Sequence, residues 1–481
     1  MDRLARNQSR GPFLDHFHRP GDCRTRNTEA EVTVGRYEGQ HWGVIGAGRT
    51  GVAAARYLAA EGAGVVLADD DPGALGKAAE VLADLVEVRP ADAVLATDAA
   101  RWVISPGIPP THPLVAAVRD SGRGCSDLDL WSAARPALTV AVTGTNGKST
   151  VCAMLAEIFR ESGFETALGA NYGTPVGELL MSETRVERAI LEVSSFQLMY
   201  AEAFSPEVAI VTNLAPDHLD WHSDLTEYRT AKERIAREMT PEQLLIVPRE
   251  LADFAPDSAA MRAIVGEGLD PATVERGASI RDDELLLFFG KRQANLSLAD
   301  VREKIPFIEN AAMAALAAWS TGASVEQISA ALQRFEPLAH RFEVVAERRG
   351  VTWVNDSKAT NLHALVAAVQ TAGGPVRLLA GGKDKGLNWG SVIDAIIPST
   401  IRVYAFGESA DAIRDAWQER LDVHVSDKLI DAVRVVAREA NAGDVVLLAP
   451  GTSSFDEFAS YAERGLAFRE AVASLDQEAG S

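Results

Sequence analysis

The chain has 481 residues, 47% hydrophobic and 24% charged, room for about three ordinary soluble domains at roughly 150 residues each. Its 47 Lys and Arg against 68 Asp and Glu leave a formal charge of −21. That balance argues against a general nucleic-acid binder, which needs a basic footprint. The 3 cysteines, Cys23, Cys125 and Cys152, are too few and too scattered for a disulfide framework or a zinc site. No apolar run approaches the ~20 residues of a membrane span. A reducing, cytoplasmic setting without membrane insertion is expected.

Residues 1–40 mix Arg, Asp, Asn and Gly with few aliphatics and are expected to be a disordered extension. Beyond them short apolar runs alternate with helical patterns, the rhythm of parallel sheets flanked by helices. A first Rossmann-like unit, 41–126, starts with the strand Trp42–Ile45, a glycine turn and a helix through Ala53–Ala60. Strands follow at Val65–Ala68, Trp102–Ile104 and near Cys125. A second unit, 127–337, opens with the strand Leu138–Val142, a glycine loop and a helix from Ser149. In that helix Val151, Met154, Leu155, Ile158 and Phe159 share one face, and Gly163 ends it. Its further strands are Ala189–Leu191, Val208–Val211 and Leu244–Val247; 250–305 reads only as short strands and loops. A third unit, 338–481, has strands at Val351–Val354, Val376–Ala380, Arg402–Phe406 and Val445–Leu448. The fold class is therefore α/β, three domains in series.

The strongest local signal is Thr143-Gly144-Thr145-Asn146-Gly147-Lys148-Ser149-Thr150, between a buried strand and an amphipathic helix. Such a loop closes backbone N–H groups and a helix N-terminus around phosphate. Its lysine reaches the terminal phosphates and its serine can ligate Mg²⁺. The spacing is shorter than the usual P-loop, with Val142 where that pattern has glycine. A second glycine loop, Gly46-Ala47-Gly48-Arg49-Thr50-Gly51, fits a dinucleotide site with Asp69 or Asp70 on a ribose, another nucleotide site, or a tight turn without ligand.

These two loops, in this order, resemble those of the Mur ligases of peptidoglycan synthesis. Further motifs follow in the family's order: Gly169-Ala170-Asn171-Tyr172-Gly173, Leu191-Glu192-Val193-Ser194-Ser195-Phe196-Gln197-Leu198, and Asn213-Leu214-Ala215-Pro216-Asp217-His218. Then come the helix with Tyr228 and Lys232, His340-Arg341-Phe342-Glu343, Asn355-Asp356-Ser357-Lys358-Ala359-Thr360-Asn361, Gly381-Gly382-Lys383-Asp384-Lys385-Gly386, and Ser453-Ser454-Phe455-Asp456-Glu457-Phe458 with Tyr461-Ala462-Glu463-Arg464-Gly465. The resemblance spans about 41–475.

It implies a UDP-substrate domain, a central ATP-binding domain and a C-terminal ligase domain. The implied reaction phosphorylates the terminal carboxylate of UDP-MurNAc-L-Ala with ATP. The amine of D-glutamate then attacks the acyl phosphate. By resemblance Gly144, Thr145, Asn146, Gly147, Lys148, Ser149 and Thr150 hold the ATP phosphates, with Asn310, Arg341 and Asp356 completing the nucleotide site. Lys148, Glu192, His218 and Lys232 are the implied catalytic residues. Ser149, Glu192 and His218 would bind two Mg²⁺, and Lys232 would be carbamylated by CO₂. Gly48, Arg49, Thr50, Asp69, Ser105, Pro106, Gly107 and Asn171 are implied for the UDP substrate. Thr360, Lys385, Ser454 and Tyr461 are implied for D-glutamate. A monomer acting on small molecules is expected.

One stretch departs from the family. Its usual G-x-H-N stretch, opening a helix near residue 310, is here Lys304-Ile305-Pro306-Phe307-Ile308-Glu309-Asn310, with Pro306-Phe307 in place of His-Asn. Adenine recognition through stacking on Phe307 is one outcome. The alternatives are a Mur ligase variant using another amino acid or L-glutamate, a nicotinamide oxidoreductase, and a nucleotide-binding regulator without turnover. The oxidoreductase reading leaves the phosphate loop unexplained.

Overall fold

In the computed structural model the described residues are 35–218, 221–302 and 304–478. The expected extension lies almost wholly outside them, as does Cys23. They contain three sheets. By packing, the chain falls into two compact units. The first runs to Leu214 and takes in His218–Arg302 and Ile308–Phe335; the second holds Ala215–Asp217, a short stretch ending at Phe307, and the chain from Glu336 onward.

The first unit carries two sheets. The N-terminal one is made of β1 (His41–Ile45), β2 (Gly64–Asp69), β3 (Glu87–Pro90), β4 (Arg101–Ile104) and β5 (Gly124–Cys125), in the order β3-β2-β1-β4-β5. All its pairings are parallel. β1 is central, so the loop after it opens where the strand order reverses, the place where such sheets bind ligands.

The second sheet comprises β6 (Leu138–Thr143), β7 (Thr166–Ala170), β8 (Arg188–Glu192), β9 (Val208–Val211), β10 (Leu244–Pro248), β11 (Met261–Glu267), β12 (Arg276–Arg281), β13 (Glu284–Phe289) and β14 (Arg292–Ser297). Its order is β14-β13-β12-β11-β10-β9-β6-β8-β7. β6 lies parallel between β8 and β9, again a switch point. The short strands expected over 250–305 are present. That stretch holds four strands, and β12, β13 and β14 pair antiparallel. Behind β6 packs the helix Lys148–Glu161, whose apolar face buries Val151, Met154, Leu155, Ile158 and Phe159 as the spacing predicts.

The second unit's sheet consists of β15 (Glu343–Arg348), β16 (Val351–Asn355), β17 (Val376–Gly381), β18 (Thr400–Phe406), β19 (Val423–Ser426) and β20 (Val445–Leu448). The order is β15-β16-β20-β17-β18-β19; only the edge strand β15 runs antiparallel. A core including Leu365, Val369, Leu378, Ile396, Ile413 and Trp417 fills one face.

Candidate active site

The phosphate loop follows β6. Gly147 caps the helix Lys148–Glu161 with φ 83, in the left-handed region, where a side chain is strained. A Cβ there would also come within 2.7 Å of the Asn310 Oδ1. Asn310, from the helix Ile308–Ser320, thus lies directly against the loop. The backbone around it is held from β9: the Thr145 N–H donates to the Asn213 carbonyl (3.1 Å), the Asn146 N–H to Asn213 Oδ1 (2.9 Å), and the Thr212 hydroxyl to the Asn146 carbonyl (2.5 Å). Lys148 Nζ donates to the carbonyls of Gly144 and Thr145, each at 2.9 Å.

Ser149 and Glu192 meet. The Ser149 hydroxyl donates to Glu192 Oε2 at 2.5 Å, and Asn171 Nδ2 donates to Oε1 at 2.6 Å. Glu192 ends β8 and Asn171 follows β7, so the order β6-β8-β7 puts Ser149, Glu192 and Asn171 side by side. Glu192 is 3% exposed; its carboxylate is held by neighbours that donate to it. Hard oxygen donors at the edge of a phosphate loop fit Mg²⁺, which keeps part of its water and takes substrate phosphate oxygens. Among the described residues no three His, Cys, Asp or Glu side chains converge as a metal site. His218, at φ 55, packs its ring on Phe196 at 4.8 Å between centroids and stands 6.4 Å from the Tyr228 ring.

Lys232 is 1% exposed, on the helix Leu225–Glu233. Its Nζ donates to the Gly144 carbonyl at 2.9 Å and lies 4.5 Å from the centre of the Tyr228 ring. The Tyr228 hydroxyl is 3.1 Å from the Thr145 hydroxyl. This lysine is therefore a buried neighbour of the phosphate loop, unlike the surface lysine of an ordinary charged helix. Asn213 opens the quoted motif that leads to His218, and Tyr228 shares the helix of Lys232, so both stand in stretches that carry the resemblance; Thr212 precedes the first, and sequence reasoning gives none of the three a site role.

At the other glycine loop, Asp69 Oδ2 accepts from the Ala47 N–H (2.6 Å) and Oδ1 from the Asp71 N–H (2.9 Å). The Ser105 hydroxyl donates to the Gly46 carbonyl at 3.2 Å. Both side chains thus shape the turn. Gly48, Arg49 and Gly107 are exposed and Thr50 and Pro106 half-buried. Arg49 Nη2 reaches the Gly173 carbonyl at 3.5 Å.

In the second unit Asp356, Thr360, Lys385 and Ser454 sit on loops at the C-terminal ends of β16, β17 and β20, while Tyr461 opens the helix Tyr461–Glu478 and Arg341 precedes β15. Asp356 is 7% exposed, and its Oδ1 accepts from the Phe342 N–H at 3.2 Å. Burial pushes its carboxyl up to about 7, with the Phe342 N–H and Arg341 opposing. Thr360 is half-buried and Lys385 exposed. Ser454 is 2% exposed, and its hydroxyl has no hydrogen-bond partner among the described residues. A buried hydroxyl without a partner is a place where a ligand oxygen would be satisfied. The Lys358 ammonium lies 4.2 Å from the centre of the Tyr461 ring, a cation beside the implied pocket that sequence reasoning passed over although it lies in the quoted N-D-S-K motif. Phe307 packs edge-on to Phe342, 5.9 Å between centroids.

Comparison with known proteins agrees with this layout. Family models match in order: a MurD-like N-terminal domain over 40–125, a Mur ligase middle domain over 142–263 and a Mur ligase glutamate ligase domain over 340–452. The UDP-N-acetylmuramoylalanine–D-glutamate ligase of Geotalea uraniireducens is 35% identical over 443 residues, 91% of this chain and 98% of that one. The enzyme of that name from Syntrophus aciditrophicus is 35% identical over 90% of this chain and 98% of its own. The solved pseudomurein peptide ligase type C of Methanothermus fervidus shares the fold, with TM-score 0.57 at 17% identity over 91% of this chain and all of its own. With three family domains in sequence and relatives matched along nearly their whole length, the chain belongs to the Mur ligase family.

Proposed function

We propose that this chain joins D-glutamate to UDP-MurNAc-L-Ala at the cost of one ATP, through an acyl phosphate, in peptidoglycan synthesis. The observation that carries the chemistry is the contact of Ser149 and Asn171 with the two oxygens of Glu192 beside the phosphate loop. The activity for which the Geotalea and Syntrophus relatives are named supplies the substrates.

A carboxylate is a poor electrophile, and bringing it to the γ-phosphate sets anion against anion. Lys148 and the N-terminus of the helix Lys148–Glu161 supply positive charge on the phosphate side. Ser149 and Glu192 would hold Mg²⁺, with His218 the further ligand the family implies; when bound, the metal screens the charge developing between phosphate and carboxylate. Asn171 orients Glu192. The glutamate amine must arrive unprotonated and attack the acyl carbon, after which the tetrahedral adduct expels phosphate. In this reading Arg341 and Asp356 bind the nucleotide, Asp356 at the ribose hydroxyls. Thr360, Lys385, Ser454 and Tyr461 bind the amino acid: Lys385 pairs one carboxylate and Ser454 donates to the other. Gly48, Arg49, Thr50, Asp69, Ser105, Pro106 and Gly107 take the UDP portion, with 127 and 338 as domain starts. The enzyme works as a cytoplasmic monomer; no helix among the described residues is long and apolar enough to cross a membrane.

The test is an amino-acid panel with UDP-MurNAc-L-Ala and ATP, scored by product mass. Glutamate should exceed leucine, alanine and lysine by a wide margin, D- over L-, because an uncharged side chain leaves Lys385 without its partner and lysine meets a like charge. Incorporation of lysine or diaminopimelate faster than glutamate would overturn the assignment.

A further inference from the structure

Arg464, in the helix Tyr461–Glu478, is fully buried. A guanidinium inside a protein normally meets a carboxylate. Here, among the described residues, it meets none. Its hydrogen bonds go to neutral oxygens: Nε donates to the Ser357 hydroxyl (3.0 Å), and Nη2 to the carbonyls of Ser357 (2.9 Å) and Thr452 (3.0 Å). Nη1 donates to the Gly381 carbonyl at 3.4 Å.

Those oxygens are not scattered. Ser357 lies just past β16, Gly381 ends β17 and Thr452 follows β20, and β16, β20 and β17 are neighbours in the sheet. One planar fork therefore ties the C-terminal ends of three adjacent parallel strands. The following residues of the same three loops include Thr360, Lys385 and Ser454. The backbone has been shaped to admit the fork. Gly382 sits at φ 136, and a Cβ on it would come 2.8 Å from Arg464 Nη1 and 2.4 Å from the Ser453 carbonyl. Desolvation pulls the guanidinium down to about 10, with Asp456 and Glu457 opposing through the field, so it stays charged at neutral pH.

We propose that Arg464 is a positioning and specificity residue: it braces the three loops of the amino-acid pocket and gives that pocket a buried positive charge that favours a dianionic amino acid. This rests on the reading of Thr360, Lys385 and Ser454 as that pocket. Carbonyl dipoles stabilise the cation without neutralising it. Its field therefore extends toward the strand ends, opposed in part by Asp456 and Glu457. A charge in that place discriminates between glutamate and its neutral isostere glutamine even without touching either.

The experiment measures kcat and KM for D-glutamate and D-glutamine in wild type, Arg464→Met and Arg464→Lys, with KM for ATP in parallel. In Arg464→Met the preference for glutamate over glutamine in kcat/KM should fall at least ~10-fold, with KM for ATP little changed. Arg464→Lys keeps the charge and loses the fork: its preference should stay near wild type while KM rises for both amino acids. If Arg464→Met lowers both amino acids equally, the charge has no part in selection and the proposal fails. If Arg464→Met does not fold, Arg464→Lys decides: a wild-type KM for both amino acids, or a lost preference, overturns it. Should wild type fail to use glutamate at all, the functional reading falls first; a wild type that uses glutamate beside indifferent Arg464 variants sinks this inference alone.

Discussion

Lys232 is fully buried, and its Nζ donates to the Gly144 carbonyl. The carbamate that the resemblance implies would keep one N–H for Gly144 and place a carboxylate near the phosphate loop. With ¹³C-bicarbonate, wild type should show a protein-bound carbamate resonance that Lys232→Ala lacks. Turnover in the variant should drop on the order of 10²–10³-fold, the range seen for one lost preorganised electrostatic group. Formate should restore part of it. Full activity in Lys232→Ala would make this lysine a packing residue. Asp356 gives the second residue-scale expectation. Its folded carboxyl titrates near 7 because of burial, against roughly 4 in an unfolded chain. Between those values the folded state holds a proton that the unfolded chain has released, so stability falls as pH rises through that window. The slope is at most about 1.4 kcal/mol per pH unit. Thermal midpoints of wild type and Asp356→Asn, compared from pH 5 to 7.5, should separate as pH rises, wild type falling relative to the variant, which lacks this slope. Parallel profiles would show that Asp356 is ionised in the folded protein throughout.

At the scale of elements, the strand-loop-helix unit β6–Lys148–Glu161 is the piece the chain declares most openly. A buried strand, two glycines and a helical apolar stripe leave little freedom. Gly147 tests it. Alanine there meets both φ 83 and a contact of 2.7 Å with Asn310. Gly163, past the end of the same helix, has φ 78 with nothing near its missing Cβ. Each alanine should cost about 1–3 kcal/mol of stability from the backbone alone, but only Gly147→Ala should also raise KM for ATP. Equal effects on KM would mean that the Asn310 contact is irrelevant to the nucleotide. The elements that escaped sequence reading share a physical cause. β14 reads Arg-Gln-Ala-Asn-Leu-Ser, an edge strand with alternating exposure and no apolar run, and β15 reads Glu-Val-Val-Ala-Glu-Arg, an edge strand whose short apolar stretch is flanked by charged residues and never fully buried. β7, Thr-Ala-Leu-Gly-Ala, is another edge strand of small residues. The same limit applies to the site. The phosphate loop declares Lys148 by its own pattern and the resemblance supplies Glu192 and His218, whereas Arg464, although it stands in the quoted Tyr461–Gly465 motif, lies inside a helix and shows its contacts only when three distant loops fold onto it.

The whole molecule offers a test that no single residue does. Each compact unit has its own hydrophobic interior: Val140, Ile158 and Leu191 are fully buried in the first, and Leu378, Val403 and Trp417 in the second. Chains with separate cores commonly depart from a single two-state transition. Calorimetry should therefore resolve more than one unfolding step, and hydrogen exchange followed by peptide should assign them to the two units. An ATP analogue with Mg²⁺ then discriminates between the nucleotide readings. Ligand present at 100 times its Kd stabilises the state that binds it by about 2.7 kcal/mol. If the loop 143–150 carries the main affinity, the step belonging to the first unit should move up and exchange should slow at the start of the helix Lys148–Glu161. Lys148→Ala should abolish that shift while leaving the unliganded profile in place, since the Lys148 ammonium donates to carbonyls of its own loop, those of Gly144 and Thr145. An analogue that moves only the second unit's step would locate the principal nucleotide contacts around Arg341 and Asp356 and demote the phosphate loop; a single step with equal calorimetric and van't Hoff enthalpies would show that the two cores unfold as one.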